Sequence, residues 1–461
     1  MTKQRSPRFG MLFTILALAW PTMLEQLLQT AVQYVDTAMV GSLGTAATAA
    51  VGSTTTVNWL IGTTVSALGV GFLAFIAKAH GAKEYEKAKR ASAQAVLTVL
   101  VAGLFFTDLT LSLSSFVPVW MQVDEEIQSL SATYFFILYT PMLARTATII
   151  FGTVLRASGD TKTPMIVGIW VNLVNVLLNF LLIYPTRTFT VLSWTILIPG
   201  AGLGVIGAAL ASAVSFAVGG IAITAALFRH PLISPKGYAL RPDRTILLPC
   251  LRVAAPNALQ RFGTSLGYVV FAAMVNSLGG IATAAHTIAN TVESAFYIPG
   301  YGMQTAAATL AGNAYGARDP KTLKSLAKTI LVIEILLMIL SGGLLFLLAP
   351  QMVSIFSKDA KVILLGATVL QMVAVSEPFY GVSIVIEGMM QGMGRTVMPL
   401  ISNVTTMWGI RIVGTFLFTQ ILHYGLVGAW GCMIAHNLAL FGLFAFYYLS
   451  GKWNPLRSKR K

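Results

Sequence analysis

Long apolar stretches recur along the whole chain, separated by short segments that contain glycine, proline and charged residues. Each stretch holds about 20 or more mostly apolar residues, the length of helix that crosses the hydrocarbon core of a bilayer. Because a chain in lipid must satisfy its own backbone hydrogen bonds, each stretch is predicted to be a helix. The pattern predicts twelve spans, numbered 1 to 12: 11–39, 49–77, 92–116, 130–156, 163–184, 200–228, 250–278, 284–312, 325–350, 362–391, 397–421 and 425–450.

The composition agrees with this pattern. Of the 461 residues, 56% are hydrophobic and only 10% are charged, whereas a soluble domain has about 25% charged residues. A transmembrane β-barrel would show alternating segments of about 10 residues, and the sequence has no such alternation. We therefore expect an all-α integral membrane protein.

The two halves of the sequence are related by a shift of 235 positions. The 37 residues that begin at Pro21 align without a gap with the 37 that begin at Pro256, and 15 of these positions are identical. A single shift that holds over several spans indicates an internal repeat. The same shift also pairs AHGAKE at 79–84 with AYGARD at 314–319, and RASGDTKTP at 156–164 with QGMGRTVMP at 391–399.

Six spans per half would give both halves the same orientation in the membrane. Such parallel repeats occur in transporters, where they are related by an axis along the membrane normal. We predict twelve transmembrane helices in two six-helix lobes related by a pseudo-two-fold axis of this kind. The N-lobe covers residues 1–228 and the C-lobe 250–461, joined by a basic, proline-rich cytoplasmic linker at 229–249.

The distribution of basic residues predicts the orientation. If the N-terminus is cytoplasmic, inside segments hold 25 of the 31 lysines and arginines, from Lys3 and Arg5 to the tail 452–461. Both termini are therefore expected on the inner side of the cell membrane, where basic loops attract anionic lipids. These charges are spread over many loops rather than one face, which argues against nucleic-acid binding.

Several motifs carry a resemblance to a known family. They are P-x14-D-T-A-M-V-G-S-L-G from Pro21 to Gly44, G-A-K after span 2, LRASGDTKTP after span 4 and N-x3-N-F-L-L-I-Y in span 5. In this order, the sequence resembles the multidrug and toxic compound extrusion (MATE) family of the multidrug/oligosaccharidyl-lipid/polysaccharide flippase superfamily. The resemblance implies a secondary antiporter that exports bulky, cationic or aromatic drugs in exchange for inward Na+ or H+. The alternative is a flippase for a lipid-linked or amphipathic substrate of the same superfamily.

Polar residues inside spans mark functional positions, because burying them in lipid is costly. In span 1, Thr22, Glu25, Gln29, Gln33 and Asp36 fall within an arc of about 80°. In span 5, Asn172, Asn175 and Asn179 share an arc of about 60°. These stripes are expected to face a polar cavity. One carboxylate among amide and hydroxyl oxygens suits a hard monovalent cation or an exchangeable proton.

The resemblance implies the same constellation. Members of the family bind a cation or proton in the N-lobe through a span 1 acid, two span 5 positions and a span 6 hydroxyl. Here these positions are Asp36, Asn175, Asn179 and Ser212. A structural carboxylate near the helix end is the alternative role for Asp36. Glu25, Gln29, Gln33 and Asn172 are expected to contact substrate or a second cation.

The second half has different polar residues. The repeat places Phe271 at the position of Asp36, so the cation site is not duplicated. Some relatives bind their cation in the C-lobe through acids on spans 7 and 10, but span 7 offers Gln260 and no acid. The candidates for substrate or a second cation here are Gln260, Glu293, Tyr297, Glu377, Tyr380 and Glu387. The alternative to a binding role for the glutamates is an internal ion pair with Arg261 or Arg411, or a position near the membrane interface.

Pro21 and Pro256 are equivalent in the two halves, inside spans 1 and 7. A proline within a helix removes a hydrogen bond and kinks it, so each is either a hinge or a static packing kink. No G-x4-G-K-[ST] motif for ATP is present, and no catalytic pair has suitable spacing. We expect a monomeric transporter rather than an enzyme, with no cofactor and no bound metal other than a coupling Na+.

Overall fold

The computed structural model describes residues 7–121, 123–191 and 194–456, most of them helical. Lys3, Arg5 and the last five residues of the predicted basic tail lie outside the described part. The helices are α1 (Pro7–Gly41), α2 (Thr45–Gly81), α3 (Tyr85–Leu113), α4 (Val117–Trp120), α5 (Glu125–Tyr139), α6 (Met142–Ala157), α7 (Lys162–Leu182), α8 (Gly204–Arg229), α9 (Arg244–Asn276), α10 (Gly280–Phe296), α11 (Ile298–Gly316), α12 (Pro320–Phe356), α13 (Ala360–Ala374), α14 (Glu377–Gly392), α15 (Val397–Thr406), α16 (Val413–Phe416) and α17 (Gly425–Leu449). Two π-helical segments, Met407–Ile412 and Leu417–Ile421, continue α15 and α16.

Every predicted span overlaps one helix or consecutive helices. Eight described helices are long and apolar enough to cross a membrane alone, and two bent pairs raise the number to ten. The remaining predicted spans, 250–278 and 284–312, fall on α9 and on α10 with α11, which are richer in proline and polar residues.

Three predicted spans are interrupted, and a proline lies at each break. Helices α5 and α6 meet at an angle of 49°, with Pro141 directly before α6. Helices α13 and α14 meet at 55°, with a proline in the first turn of α14. Tyr297 separates α10 from α11, with Pro299 in the first turn of α11. Proline cannot donate to the preceding turn, so a new helix begins there more easily than the old one continues.

One element was not predicted. Strands β1 (Pro185–Val191) and β2 (Trp194–Ala201) form an antiparallel hairpin between α7 and α8. The sequence had suggested an irregular connection and an earlier start of span 6, at residue 200. The helix begins only at Gly204, because the residues before it are paired in the hairpin.

The chain forms two compact units. One contains residues 24–72 and 85–247; the other contains 1–23, 73–84 and 248–461. Thus α1 changes unit between Met23 and Leu24, two residues after Pro21. In the second unit, Ile15 and Ala19 of α1 belong to one apolar core with residues of α11, α12 and α14.

The repeat extends to backbone conformation. Lys83 and Arg318 are 235 positions apart, and both adopt the left-handed region, with φ of 58° and 53°. Gly44 and Gly279 are related in the same way, with φ of 110° and 101°. Side chains rarely adopt positive φ, so two non-glycine residues that share it indicate the same turn in both halves.

Candidate cation and substrate site

A cavity of about 470 Å³ opens within the unit formed by residues 24–72 and 85–247. All but two of the polar positions predicted for the first half line it. Thr22 belongs to the other unit, and Asn175 contacts two of the lining residues, Asn179 and Ser212. Helix α1 contributes one wall because its polar positions recur at helical spacing, as expected for a stripe that faces a polar interior. The lining includes Glu25, Gln29, Gln33, Asp36, Asn58, Tyr134, Arg145, Arg156, Asn172, Asn179, Ser212 and Phe216.

Asp36 lies in a network of amide and hydroxyl groups. The Asn179 amide nitrogen donates to Oδ1 of Asp36 at 2.5 Å. Asn175 and Asn179 are one helical turn apart on α7, and their side chains are 3.2 Å from each other. The Ser212 hydroxyl of α8 lies 3.2 Å from the Asn175 side chain. The structure therefore brings together the four residues predicted for the N-lobe cation site.

The Asn175 amide has an orientation that satisfies both of its neighbours. In it, the nitrogen donates to Asp36 Oδ1 at 2.9 Å, and the oxygen accepts from the Ser212 hydroxyl at 3.2 Å. In the reverse orientation, the amide oxygen faces the carboxyl group, which suits a protonated Asp36 that donates a hydrogen bond. The same two side chains can thus accommodate either the charged or the neutral acid.

Glu25 is held by an arginine that the sequence did not single out. Arg156 Nη2 lies 2.7 Å from each carboxylate oxygen of Glu25. Both side chains are largely buried, with relative exposures of 18% and 12% for Arg156 and Glu25. Glu25 had been a candidate contact for substrate or a second cation; the structure shows its charge balanced within the cavity wall.

Arg145 lies in the same cavity without a carboxylate partner among the described residues. Its Nη1 donates to Asn58 Oδ1 at 2.6 Å. Its guanidinium lies over the ring of Phe216 at 5.0 Å and near that of Tyr139 at 5.8 Å. The sequence showed Arg145 only as an arginine within a span, and its position in the cavity required the fold.

The second half contains a buried polar network around Glu387. Its Oε1 accepts hydrogen bonds from Gln260 at 2.9 Å and Gln391 at 2.8 Å, and its Oε2 accepts from Asn403 at 3.1 Å. Three amide donors satisfy this carboxylate, as a buried charge requires. Gln260 and Glu387, both predicted candidates, are therefore in direct contact.

The other candidates of the second half lie together where α10, α11 and α14 meet. The Tyr297 hydroxyl donates to Glu293 at 2.5 Å, and the rings of Tyr297 and Tyr380 are 5.0 Å apart. Glu377 is fully buried on α14, one turn before Tyr380. The structure thus forms a cluster of acids and tyrosines from residues spread over 88 positions.

Glu334 belongs to the same region and was missed in the sequence. It lies on α12, is fully buried, and neither of its oxygens has a hydrogen-bond partner among the described residues. Its carboxylate packs against Gly381, where any side chain would collide with it, and against Gly300. The sequence did contain a signal for it: Glu334 is an acid in the middle of span 9, and burying an acid within a span is costly, as it is for the other candidates.

The alternative ion pairs of the second half do not form among the described residues. Arg261 donates to the side chain of Asn257 at 3.0 Å rather than to a carboxylate. Arg411 lies over the rings of Phe271 and Tyr268, at 4.2 and 4.7 Å. These arginines are stabilised by amide and aromatic groups and not by direct contact with the glutamates.

The two halves use equivalent positions for different chemistry. The shift of 235 places Gln260 and Gln391 at the positions of Glu25 and Arg156, so an ion pair in one half corresponds to two glutamines in the other. It likewise relates Asn58 to Glu293 and Arg145 to Tyr380. Because the backbone repeats and these side chains do not, the polar sites belong to each half separately.

Comparison with known proteins agrees with this duplication. The MatE family model matches the chain twice, over residues 21–181 and 256–417, and the two matches begin 235 residues apart. Together the matches cover more than half of the chain. The repeat inferred from the sequence is therefore a repeat of one family unit.

Relatives and solved structures match over nearly the whole length. "Probable multidrug resistance protein NorM" of Thermotoga maritima is 27% identical over 95% of this chain and 92% of its own. "Probable multidrug resistance protein YoeA" of Bacillus subtilis is 25% identical over 93% and 91%. An outward-facing MATE multidrug resistance transporter has the same fold, with a TM-score of 0.88, 23% identity and coverage of 98% and 99%. A transporter of the same superfamily from Pyrococcus furiosus Vc1 also has a TM-score of 0.88, with 23% identity and coverage of 99% and 100%. The predicted all-α membrane fold of two six-helix halves is confirmed, and the chain belongs to the MATE family of multidrug efflux transporters.

Proposed function

We propose that this protein is a secondary antiporter that exports bulky cationic or aromatic compounds in exchange for inward Na+ or H+. The observation that carries the proposal is the cavity around Asp36, in which one carboxylate is surrounded by the side chains of Asn179, Asn175 and Ser212. A carboxyl group in such a place can take up one monovalent cation or one proton and release it again. It is therefore suited to coupling an ion gradient to transport.

The mechanism is alternating access. A cation that enters from outside neutralises Asp36, which removes the cost of closing a charged pocket away from water. Closure then favours the release of drug to the outside, and drug binding from the inside favours release of the cation, because coupling between two sites is reciprocal.

The cellular setting follows from the same reasoning. The protein is placed in the cell (inner) membrane with both termini in the cytoplasm, where its basic loops meet anionic lipids. We propose that it acts as a monomer on small molecules. The chemistry needs no cofactor, and the energy comes from the ion gradient.

The deciding experiment is drug efflux from proteoliposomes under one gradient at a time. Purified protein is reconstituted with a fluorescent cationic dye, and either a Na+ gradient or a pH gradient is imposed alone. Dye movement against its own gradient in one condition identifies the coupling ion. Movement that merely follows the dye's concentration difference in both conditions would replace antiport by facilitated diffusion.

A further inference from the structure

A second hollow, of about 400 Å³, lies between the start of α3 and the end of the linker, within one unit of the chain. No residue lines both this linker hollow and the cavity around Asp36. Glu86, which accepts a hydrogen bond from the Tyr238 hydroxyl, is paired with Lys89 at 2.9 Å and adds no net charge. The polar lining of the linker hollow consists of Arg90, Gln94, Tyr238, Arg241, Asp243 and Arg244.

The one acid in this lining already has its partners. Arg90 Nη2 donates to Asp243 Oδ2 at 2.7 Å, and Thr245 donates to Oδ1 from its backbone nitrogen and its hydroxyl, at 2.9 and 2.6 Å. Neither Arg241 nor Arg244 forms an ion pair with a carboxylate among the described residues. The linker hollow therefore presents two positive charges that no acid of the chain balances.

The main chain that carries the two arginines is held in place. The Gln94 side chain donates to the carbonyl of Arg241 at 2.8 Å and accepts from the backbone nitrogen of Asp243 at 3.0 Å. Arg244 is the first residue of α9, so the helix fixes its position. Because these contacts use only main-chain atoms of the linker, the guanidinium groups of Arg241 and Arg244 stay available for a ligand.

The linker hollow lies at the level expected for lipid headgroups. Arg90 precedes the predicted span 3 by two residues, which is about 3 Å along a helix. Farther along the same helix, Val101 and Leu104 are exposed, as expected for a surface that contacts lipid tails. Leu240, the residue before Arg241, is 46% exposed and can enter the interface. In the proposed orientation this side of the protein meets the anionic cytoplasmic leaflet.

The duplicated fold does not require this basic hollow. The shift of 235 relates Arg90 and Gln94 to Ser325 and Thr329 of α12. The hydroxyls of Ser325 and Thr329 face the sulfur of Met11, at 3.6 and 3.7 Å. The equivalent surface of the second half is thus packed against an apolar side chain, and the arginines are particular to the first half.

We propose that Arg241 and Arg244 bind the phosphate group of an anionic ligand at the cytoplasmic surface. The level of the linker hollow favours the headgroup of an anionic phospholipid over free phosphate as the source of that group. A guanidinium presents its donors in a planar fork that matches two phosphate oxygens, and two such groups on a fixed main chain make the contact specific. The site is independent of transport, since none of its residues lines the cavity around Asp36.

The test measures lipid and phosphate binding to the purified full-length protein in detergent. Native mass spectrometry compares dioleoyl-phosphatidylglycerol with dioleoyl-phosphatidylcholine, whose choline offsets the phosphate charge. The tightest bound phosphatidylglycerol should bind about tenfold more tightly than phosphatidylcholine, the value of one charge-assisted contact. Isothermal titration calorimetry with inorganic phosphate tests the free source.

Variants assign the preference to the two arginines. The double variant Arg241→Gln with Arg244→Gln should lose the tenfold preference for phosphatidylglycerol. Lys321→Gln with Lys324→Gln removes two exposed positive charges at the start of α12 and is the matched control, which should keep the preference. Both arginines are exposed, so the double variant should fold, and its melting temperature without lipid checks this. If it does not fold, each single variant should lose part of the preference.

The outcomes separate the two sources. Phosphate binding that depends on Arg241 and Arg244, with equal affinity for the two lipids, would keep the phosphate site and make free phosphate its ligand. Equal binding of the two lipids without any binding of phosphate would overturn the proposal. It would also be overturned by a preference that survives in the double variant, or by one that the lysine control loses to the same extent.

Discussion

Gly81 and Gly316 occupy equivalent positions at the ends of α2 and α11, and each lies against the backbone of the other's helix. A side chain on Gly81 would collide with the carbonyl of Asn313, and one on Gly316 would collide with the carbonyl of Lys78. Lys78 and Asn313 are themselves related by the shift of 235. The contact is therefore reciprocal, which is how a symmetric interface is built from a duplicated unit.

Adding a methyl group at this contact should force the two helix ends apart. We expect Gly81→Ala or Gly316→Ala to cost about 1–3 kcal/mol, the usual cost of overpacking. Thermal denaturation in detergent measures the loss. Gly343→Ala on α12, where a side chain would meet nothing within 4 Å, is the control for a glycine replaced within a helix. Equal stability of Gly81→Ala and Gly343→Ala would show that the close contact does not hold.

Replacing Asp36, the proposed coupling acid, should abolish transport without affecting folding. Asp36→Asn keeps the size of the side chain and an oxygen that Asn179 can bond, so expression and thermal stability should persist. It removes the only acidic group of that network, so cation-driven efflux should fall to the level of liposomes without protein. Efflux assays in proteoliposomes decide this, and an undiminished rate would refute the role of Asp36.

The Glu25–Arg156 ion pair of the first half should be replaceable by two glutamines, the residues at the equivalent positions of the second half. Arg156→Gln alone leaves Glu25 unpaired in a largely buried position. It should cost about 2 kcal/mol, between the values for exposed and buried pairs. The double variant Glu25→Gln with Arg156→Gln carries the residues found at the equivalent positions 260 and 391, and should recover most of the stability. A double variant less stable than the single one would contradict the equivalence of the two sites.

The attachment of the linker between the two halves to α3 should depend on Gln94. Gln94 of α3 donates to the carbonyl of Arg241 at 2.8 Å and accepts from the backbone of Asp243 at 3.0 Å, so it fastens the end of the linker to the helix. Gln94→Leu cannot make either bond, and trypsin should cleave after Arg244 severalfold faster. Mass spectrometry of the fragments locates the cut. Gln351→Leu, an exposed change elsewhere, should leave the cleavage rate unchanged.

Much of the candidate site could be anticipated because it depends on helical periodicity. Residues one turn apart must share a face, so the stripe that ends at Asp36 and the asparagines of span 5 were recognisable in one dimension. Their meeting was not derivable from periodicity, and it was the family resemblance that implied it. The division between lobes at residues 228 and 250, the orientation in the membrane and the roles of the site residues stay predictions.

The sequence by itself determined the helical membrane fold, its spans and its duplication, because apolar length and a constant shift are properties of the chain read in order. Only the tertiary structure decided which charged side chains have a partner of opposite charge and which do not. Glu25 and Arg156 are 131 positions apart, and nothing local to either indicates the pair. The isolation of Arg145 and the burial of Glu334 are likewise settled by neighbours from other helices. Packing selects these neighbours because the cost of a charge depends on everything that surrounds it.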